Sequence, residues 1–284
     1  MVRASMTHDY EATRRSWNAA TRNHNAHKGD QAAALRQGVE LLFPEELNLL
    51  GDLTGKRVLH LQCNAGQDAL CLARRGADVT GVDLSDEAIV FARQLSKDSG
   101  IAARFVEAEA LAWLAQTDER FDVVFSSYGA VGWLPDLAAW ARGIHRVLRP
   151  QGRFVYVEFH PLVWSVGKDL RLSGDDYFSQ APFVEPVNDY VAESGAGLAA
   201  VDGGAGLLEN TIAAHSWQHG LGETVDALVR AGLILERLQE FPHANGCKVH
   251  ASLVPGENRR WVWPVGTART PLMFGLSARR SVSS

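Results

Sequence analysis

The sequence has few cysteines, no long hydrophobic run and no signal for export. Its three cysteines, Cys63, Cys71 and Cys247, form no CxxC pair, so we expect neither a disulfide framework nor a four-thiolate metal site. Residues 1–25 hold no apolar stretch of signal-peptide length, and no later stretch approaches the length of a membrane span. We therefore expect a protein of the reducing cytoplasm that does not insert into a membrane.

An excess of basic residues is also missing. The 284 residues include 28 lysines and arginines against 33 aspartates and glutamates, a formal net charge of −5. This balance argues against a broad basic surface and hence against nucleic acid as a partner. The hydrophobic share of 46% is that of a folded globular protein. The length suits one large domain with additions, as a monomer or a homodimer.

Residues 56–159 alternate short apolar runs with amphipathic segments, which is the pattern of βαβ units in a parallel sheet. Ser85 is a plausible N-cap for the second helix, and Gly100 is expected to end it. The predicted strands are residues 57–61, 78–82, 103–106, 121–126 and 153–159, and the predicted helices include 67–75 and 135–148.

After residue 209 the sequence predicts a helix at 223–231 and two further strands at 233–239 and 271–278. The connection between these strands is rich in proline and glycine and has no helical pattern. A parallel crossover normally needs a helix, so we expect the last strand to run antiparallel beside its predecessor. The predicted fold class is α/β, a Rossmann-like doubly wound seven-stranded sheet with an antiparallel last strand.

The chain divides into four predicted segments. Residues 54–164 form the cofactor-binding core, and residues 210–284 complete its sheet. Residues 1–53 are an N-terminal helical or lid segment. Residues 165–209 lack sustained periodicity and carry many glycines, so we interpret them as a loop insertion after strand five or as a substrate lid.

The turn after strand one, residues 58–66, occupies the position where doubly wound folds bind cofactors. A dinucleotide-binding GxGxxG pattern is absent, since only Gly66 remains, and this disfavours NAD. Asp83 ends strand two, where a carboxylate can accept hydrogen bonds from both ribose hydroxyls of an adenosine. Glu109 follows strand three, where it could accept a bond from an adenine amino group.

These segments resemble the class I methyltransferases that use S-adenosylmethionine. The resemblance rests on the strings VLHLQCNAG, GVDLS, EAEAL, FDVVFSSYGAVGWL and RVLRPQGRFVYVEFHP in the family's order and spacing. His60 stands where the family has an acidic residue, and Gln62 and Asn64 stand at the first two glycines. The HLQCxxGxD variant is similar to a bacterial branch that acts on small molecules.

The resemblance implies S-adenosylmethionine as cofactor and S-adenosylhomocysteine as product. We infer that Gln62 supplies amide hydrogen bonds near the methionine part of the cofactor. The predicted cofactor-binding residues are Gln62, Cys63, Gly66, Asp83, Leu84, Glu109, Ala110 and Ser126.

The acceptor is expected over the ends of strands four and five. Strand alternation puts Glu158 and His160 on one side, and the imidazole of His160 is the predicted catalytic base. In the related family the N-terminal region folds over the cofactor. The predicted substrate or lid residues are Tyr10, Trp17, His24, His27, Tyr128 and Trp133. The two histidines at 24 and 27 have no matching carboxylate or thiolate motif nearby, so no metal is expected.

The predicted function is transfer of a methyl group by direct displacement to oxygen or nitrogen of a small metabolite. One interpretation is that this acceptor is aromatic. Two alternatives stay open. A nicotinamide-dependent oxidoreductase fits the strand–helix alternation, and a catalytically inactive, methyltransferase-like binding subunit fits the altered turn.

Overall fold

The computed structural model describes residues 10–195, 198 and 206–281. Its helices are α1 (Tyr10–Ala26), α2 (Gln31–Arg36), α3 (Pro44–Leu50), α4 (Gln67–Arg74), α5 (Asp86–Ser99), α6 (Ala110–Gln116), α7 (Leu137–Val147), α8 (Tyr190–Ser194) and α9 (Leu221–Arg230). Its strands are β1 (Arg57–Leu61), β2 (Asp78–Asp83), β3 (Arg104–Glu107), β4 (Phe121–Ser127), β5 (Leu148–Phe159), β6 (Phe183–Pro186), β7 (Ala213–Ser216), β8 (Leu233–Phe241), β9 (His243–Asn245), β10 (Val254–Pro255), β11 (Arg260–Val262) and β12 (Met273–Arg280).

Seven strands form the main sheet in the order β3-β2-β1-β4-β5-β12-β8. Strands β1 to β5 run parallel to one another, whereas β12 is antiparallel to both β5 and β8. The predicted fold class, including the antiparallel last strand, is confirmed. The sequence did not indicate that β12 would lie between β5 and β8, because strand order within a sheet depends on contacts between distant segments.

The predicted element ends follow from local chemistry. The Ser85 hydroxyl accepts a hydrogen bond of 3.1 Å from the Ala88 amide and caps α5, and Gly100 ends that helix with φ of 72°. Apolar side chains of the strands pack on both faces of the sheet, one face against α4 and α5 and the other against α6 and α7. This two-sided burial explains the nearly continuous apolar runs of the central strands.

The additions to the sheet lie around its carboxyl edge. Helix α1 packs against α5 and β7, and the predicted insertion contains β6, which pairs with β7, and α8. The proline- and glycine-rich connection between β8 and β12 contains a small sheet of β9, β10 and β11, which the sequence did not predict. Part of the glycine-rich insertion, residues 196–197 and 199–205, lies outside the described residues.

In the described part of the chain, no helix has both the length and the apolar character needed to cross a membrane.

Candidate cofactor and substrate site

A cavity of about 670 Å³ opens at the carboxyl edge of the parallel strands. Residues at or just after the carboxyl ends of β1, β2, β3, β4 and β5 line it, among them Gln62, Asp83, Glu109, Tyr128 and Glu158. Carboxyl ends of parallel strands meet at one edge of a sheet, where ligands of open α/β folds bind. The topology therefore brings together side chains that are far apart in the sequence.

The turn after β1 keeps a glycine-like backbone without glycine at two positions. Gln62 and Asn64 have φ values of 54° and 48°, in the left-handed region that glycine adopts most easily. The backbone amide of Asn64 donates a 2.8 Å hydrogen bond to Asp83 Oδ2, which stabilises this conformation. The two departures from the family's glycine pattern thus leave the turn geometry intact.

Asp83 stands at the end of β2 and lines the cavity. Oδ2 accepts from the Asn64 amide, and Oδ1 accepts from the Ser85 amide at 2.9 Å. Burial raises the pKa of Asp83, although these backbone hydrogen bonds oppose the shift. A carboxylate has about four lone-pair positions, so Asp83, which lines the cavity, can accept from a ligand beside these backbone amides.

Gln62 presents an unsatisfied acceptor in the cavity wall. Its Nε2 donates a 2.7 Å hydrogen bond to the Ala130 carbonyl oxygen. Its Oε1 is buried and has no hydrogen-bond partner among the described residues. A buried amide oxygen without a partner is costly, so this position favours a ligand with an N–H donor.

Glu158 stabilises the backbone of Gly129 and Ala130, which contacts Gln62. Its carboxylate accepts hydrogen bonds from the amides of Gly129 and Ala130 and from the Tyr156 hydroxyl. Because Ala130 is also the partner of Gln62, Glu158 indirectly fixes the orientation of that amide. Burial raises the pKa of Glu158. The sequence grouped Glu158 with His160 but did not reveal this bracing role.

The other predicted cofactor residues divide into two groups. Cys63, Leu84, Glu109 and Ala110 line the cavity. The Glu109 carboxylate also accepts hydrogen bonds from the amides of Leu111 and Ala112 and so caps α6. Burial raises the pKa of the Cys63 thiol, which makes it a poor nucleophile.

Gly66 and Ser126 are not among the residues that line the cavity. A Cβ at Gly66 would lie 2.7 Å from the Ala92 Cβ and 2.8 Å from the Phe105 ring, so this glycine allows the turn to pack closely on α5 and β3. Ser126 is fully buried within β4. The structure thus places both residues behind the site.

His160 points away from the cavity, so the predicted catalytic position is not reproduced. Its Nδ1 accepts a hydrogen bond of 3.1 Å from the Leu162 amide, and its Nε2 lies 3.0 Å from Glu240 Oε1. Strand β5 ends at Phe159, and His160 is already the N-cap of a short 3₁₀ helix. Strand alternation therefore does not extend from Glu158 to His160, and the ring faces a separate shallow depression beside Leu238.

Four of the six predicted substrate or lid residues line the cavity. Tyr10, Trp17, Tyr128 and Trp133 line the cavity, and the rings of Trp17 and Trp133 meet edge to face at 5.2 Å. Helix α1 thus supplies part of the cavity wall.

His24 and His27 do not line the cavity but hold the insertion. His24 Nε2 lies 2.9 Å from the Asn188 carbonyl oxygen, and burial lowers the pKa of His24 to about 4. His27 Nε2 lies 2.8 Å from Asp189 Oδ2 in a buried pair.

Several charged residues of the cavity wall escaped the sequence analysis. Burial raises the pKa of Glu46 and of Asp68 and lowers that of Lys28 to about 8. Glu46 also interacts with the hydroxyl of Tyr128, which accepts a 3.0 Å hydrogen bond from Asn245. No local pattern links these positions, because they belong to five different parts of the chain. The described residues contain no group of three or more side chains placed to hold a metal ion.

The strand order, the antiparallel β12 and the cavity at the carboxyl edge define the class I methyltransferase fold. Within this fold, residues 58–152 match the family described as a methyltransferase domain. This match falls on the segment whose motifs resemble those of methyltransferases.

Solved structures with this fold cover most of the chain. A S-adenosylmethionine dependent methyltransferase from Mesorhizobium loti superposes with a TM-score of 0.56 at 22% identity, covering 86% of this chain and 99% of that one. A S-adenosylmethionine-dependent methyltransferase from Clostridium acetobutylicum gives a TM-score of 0.55 at 11% identity, covering 87% and 95%. At these identities the likeness establishes the fold.

Curated relatives match a little over a third of the chain. The ubiquinone biosynthesis O-methyltransferase of Aeromonas salmonicida is 35% identical over 103 residues, which are 36% of this chain and 43% of that protein. The demethylmenaquinone methyltransferase of Thermus thermophilus is 38% identical over 108 residues, 37% of this chain and 48% of that protein. The chain matches less than half the length of these relatives.

Proposed function

We propose that this protein is a S-adenosylmethionine-dependent methyltransferase that methylates oxygen or nitrogen of a small molecule. The observation that carries the proposal is the pairing of Asp83 with the turn at Gln62 in a cavity of a methyltransferase domain. The names of the curated relatives, which are quinone-pathway methyltransferases, agree with a small acceptor.

The residues present fit the cofactor. The Asp83 carboxylate, an acceptor in the cavity wall, suits the ribose hydroxyls, and the unsatisfied Oε1 of Gln62 suits the ammonium group of the methionine part. Leu84, Glu109 and Ala110 would surround the adenine. When bound, the cofactor supplies a methyl group activated by its positively charged sulfur.

The chain's own residues contribute orientation and exclusion of water. Trp17 and Trp133 cover the cavity, and Glu158 holds the Gly129–Ala130 backbone rigid beside it. We assign no step to His160, because its ring is turned away and its two nitrogens face Leu162 and Glu240. Its role is to cap the segment after β5.

Binding of S-adenosylhomocysteine, measured by isothermal calorimetry, tests the proposal. We expect Asp83→Ala to weaken this binding at least about tenfold, since a hydrogen bond to a charged group contributes about 1.5–3 kcal/mol. Gln62→Ala should weaken it less. Glu107→Ala is the matched control, because Glu107 is the neighbour of Asp83 in the sheet but does not line the cavity.

Lack of binding by the unmodified protein would overturn the proposal, and unchanged affinity in Asp83→Ala would overturn the assigned position of the ribose. A single-turnover assay with labelled cofactor and a metabolite extract separates an enzyme from an inactive binding subunit. Binding of a nicotinamide dinucleotide in place of S-adenosylhomocysteine would favour the oxidoreductase alternative.

A further inference from the structure

One end of the cavity is walled by aromatic side chains from four separate segments. Strand pairing sets Phe183 opposite Ser216, the Trp217 amide donates a 2.6 Å hydrogen bond to the Gly132 carbonyl oxygen, and the Trp133 ring meets Trp17. We call this end the aromatic compartment and define it by Trp17, Trp133, Phe183, Trp217 and Gln218, all of which line the cavity.

The aromatic rings of this compartment are only half-buried, although they lie in the interior wall of a cavity. Each of them contributes to the lining of the cavity. Aromatic faces and edges of this kind pack best against another planar ring, by offset stacking or edge-to-face contact. The shape and chemistry of the compartment therefore favour a planar ligand.

Gln218 adds a polar requirement. Its side chain is 8% exposed, and its Nε2 has no hydrogen-bond partner among the described residues. The backbone on both sides is fixed, since the Trp217 amide bonds to Gly132 and His219 Nε2 lies 2.9 Å from the Leu134 carbonyl oxygen. A buried amide donor held in this way is satisfied by an oxygen acceptor on the ligand.

Charge argues against an anionic ligand at this end. Glu185, two residues after Phe183, and Asp175 line the cavity. The lysines and arginine of the described cavity wall are engaged elsewhere. Lys28 interacts with Asp68, Lys248 lies over the Trp261 ring, and Arg259 lies over the Phe43 ring.

We propose that the aromatic compartment binds an uncharged planar ring that carries a carbonyl oxygen, and that Gln218 selects this ring by donating a hydrogen bond from Nε2 to that oxygen. This inference rests on the proposed methyltransferase function for its meaning, because the ring would be the methyl acceptor. Gln218 is then a specificity-determining residue, although no motif of the sequence indicates it.

Two matched fragments test the proposal. 1-Indanone and indane share a planar bicyclic frame, but only 1-indanone has the oxygen. We measure their dissociation constants by ligand-observed NMR, with and without S-adenosylhomocysteine. The unmodified protein should bind 1-indanone roughly fivefold to tenfold more tightly than indane, the equivalent of one net hydrogen bond. Indane-1-carboxylate should bind more weakly than 1-indanone.

Gln218→Leu should reduce the preference for 1-indanone to less than about twofold while leaving the affinity for indane and for S-adenosylhomocysteine unchanged. Gln239→Leu is the control, since Gln239 is exposed on β8 and does not line the cavity. It should keep the full preference.

Equal affinity for both fragments in the unmodified protein, no binding of either at millimolar concentration, or a preference that survives Gln218→Leu would each overturn the inference. The proposed function fails separately. Absence of S-adenosylhomocysteine binding together with a Gln218-dependent preference would refute the methyltransferase assignment and leave the ring site standing.

Discussion

Single residues of the turn after β1 show why a strict glycine pattern misses this site. Gln62 and Asn64 adopt left-handed φ values, at a cost of about 1–2 kcal/mol each for a residue with a Cβ. Hydrogen bonds to Ala130 and Asp83 offset part of that cost. The side chain of Gln62 then provides an acceptor that glycine lacks. Backbone conformation is retained while residue identity changes.

Gly66 in the same turn is needed for space as well as for conformation. We expect Gly66→Ala to lower the free energy of unfolding by at least about 2 kcal/mol more than Gly100→Ala, because overpacking costs about 1–3 kcal/mol. Both glycines have φ near +75°, with 80° at Gly66 and 72° at Gly100, but a Cβ at Gly100 meets nothing within 4 Å. Urea denaturation measures the difference. Equal losses would show that packing at Gly66 is not tight.

Glu46 should make stability depend on pH. Burial and the nearby Asp68 raise the pKa of this carboxyl well above its ordinary value of 4.5. The folded protein therefore holds a proton that the unfolded chain releases, so this contribution to stability is present below pH 4.5 and is lost as the pH rises toward the folded pKa.

Glu46→Gln stays neutral, so we expect the variant to gain stability relative to the unmodified protein between pH 5 and pH 8, on the order of 1 kcal/mol or more. Urea denaturation at pH 5, 6.5 and 8 measures this gain. Glu87→Gln is the control, because Glu87 lies in an exposed pair with Arg22. A difference between Glu46→Gln and the unmodified protein that does not change with pH contradicts the prediction.

At the scale of elements, α1 connects the cofactor half of the site to the insertion. At its middle, Asn18 accepts a 2.7 Å hydrogen bond from the Ser85 hydroxyl and donates one of 2.7 Å to Asp86, so α1 is fixed to the N-terminus of α5. Near its end, His24 and His27 contact Asn188 and Asp189. One helix therefore holds both walls of the cavity.

Asp189 is the residue on which the insertion side of this connection depends. It accepts hydrogen bonds from His27 Nε2 at 2.8 Å and from the Leu208 amide at 2.9 Å. We expect Asp189→Ala to increase amide hydrogen exchange at residues 187–195 and 206–210 by at least about tenfold, since a buried charged hydrogen bond contributes more than 1.4 kcal/mol.

Hydrogen exchange followed by mass spectrometry measures this change, and the main sheet should keep its protection. Asp226→Ala removes a carboxylate that pairs with Arg230 on the surface of α9 and should leave the insertion unaffected. Unchanged exchange at residues 187–195 in Asp189→Ala would mean that other contacts hold the insertion.

At the scale of the whole molecule, the sheet gathers the site from the ends of its strands. Strand β1 was predicted with its observed limits, and α5 begins and ends at the predicted cap residues. The small sheet of β9, β10 and β11 was not predicted, because its strands have two or three residues each and too few positions to show a periodicity.

The sequence indicated candidate site residues only where a local pattern marked them. Asp83 and Glu109 were proposed as site residues because Asp83 ends one strand and Glu109 comes shortly after the next, and the carboxyl ends of parallel strands meet at one edge of a sheet. Gln218 and Glu46 reach the cavity from segments with no motif. His160 was expected to face the cavity with Glu158, but β5 ends at Phe159, so strand alternation no longer applies to His160.

The sequence by itself determined the strands of the main sheet and the antiparallel last strand, since caps, apolar periodicity and turn residues act within a few residues of the chain. Only the tertiary structure decided that β12 lies between β5 and β8, which side chains face the cavity and which hold its walls. Those choices depend on contacts such as that between Tyr128 and Asn245, 117 positions apart, and no local pattern encodes a contact at that separation.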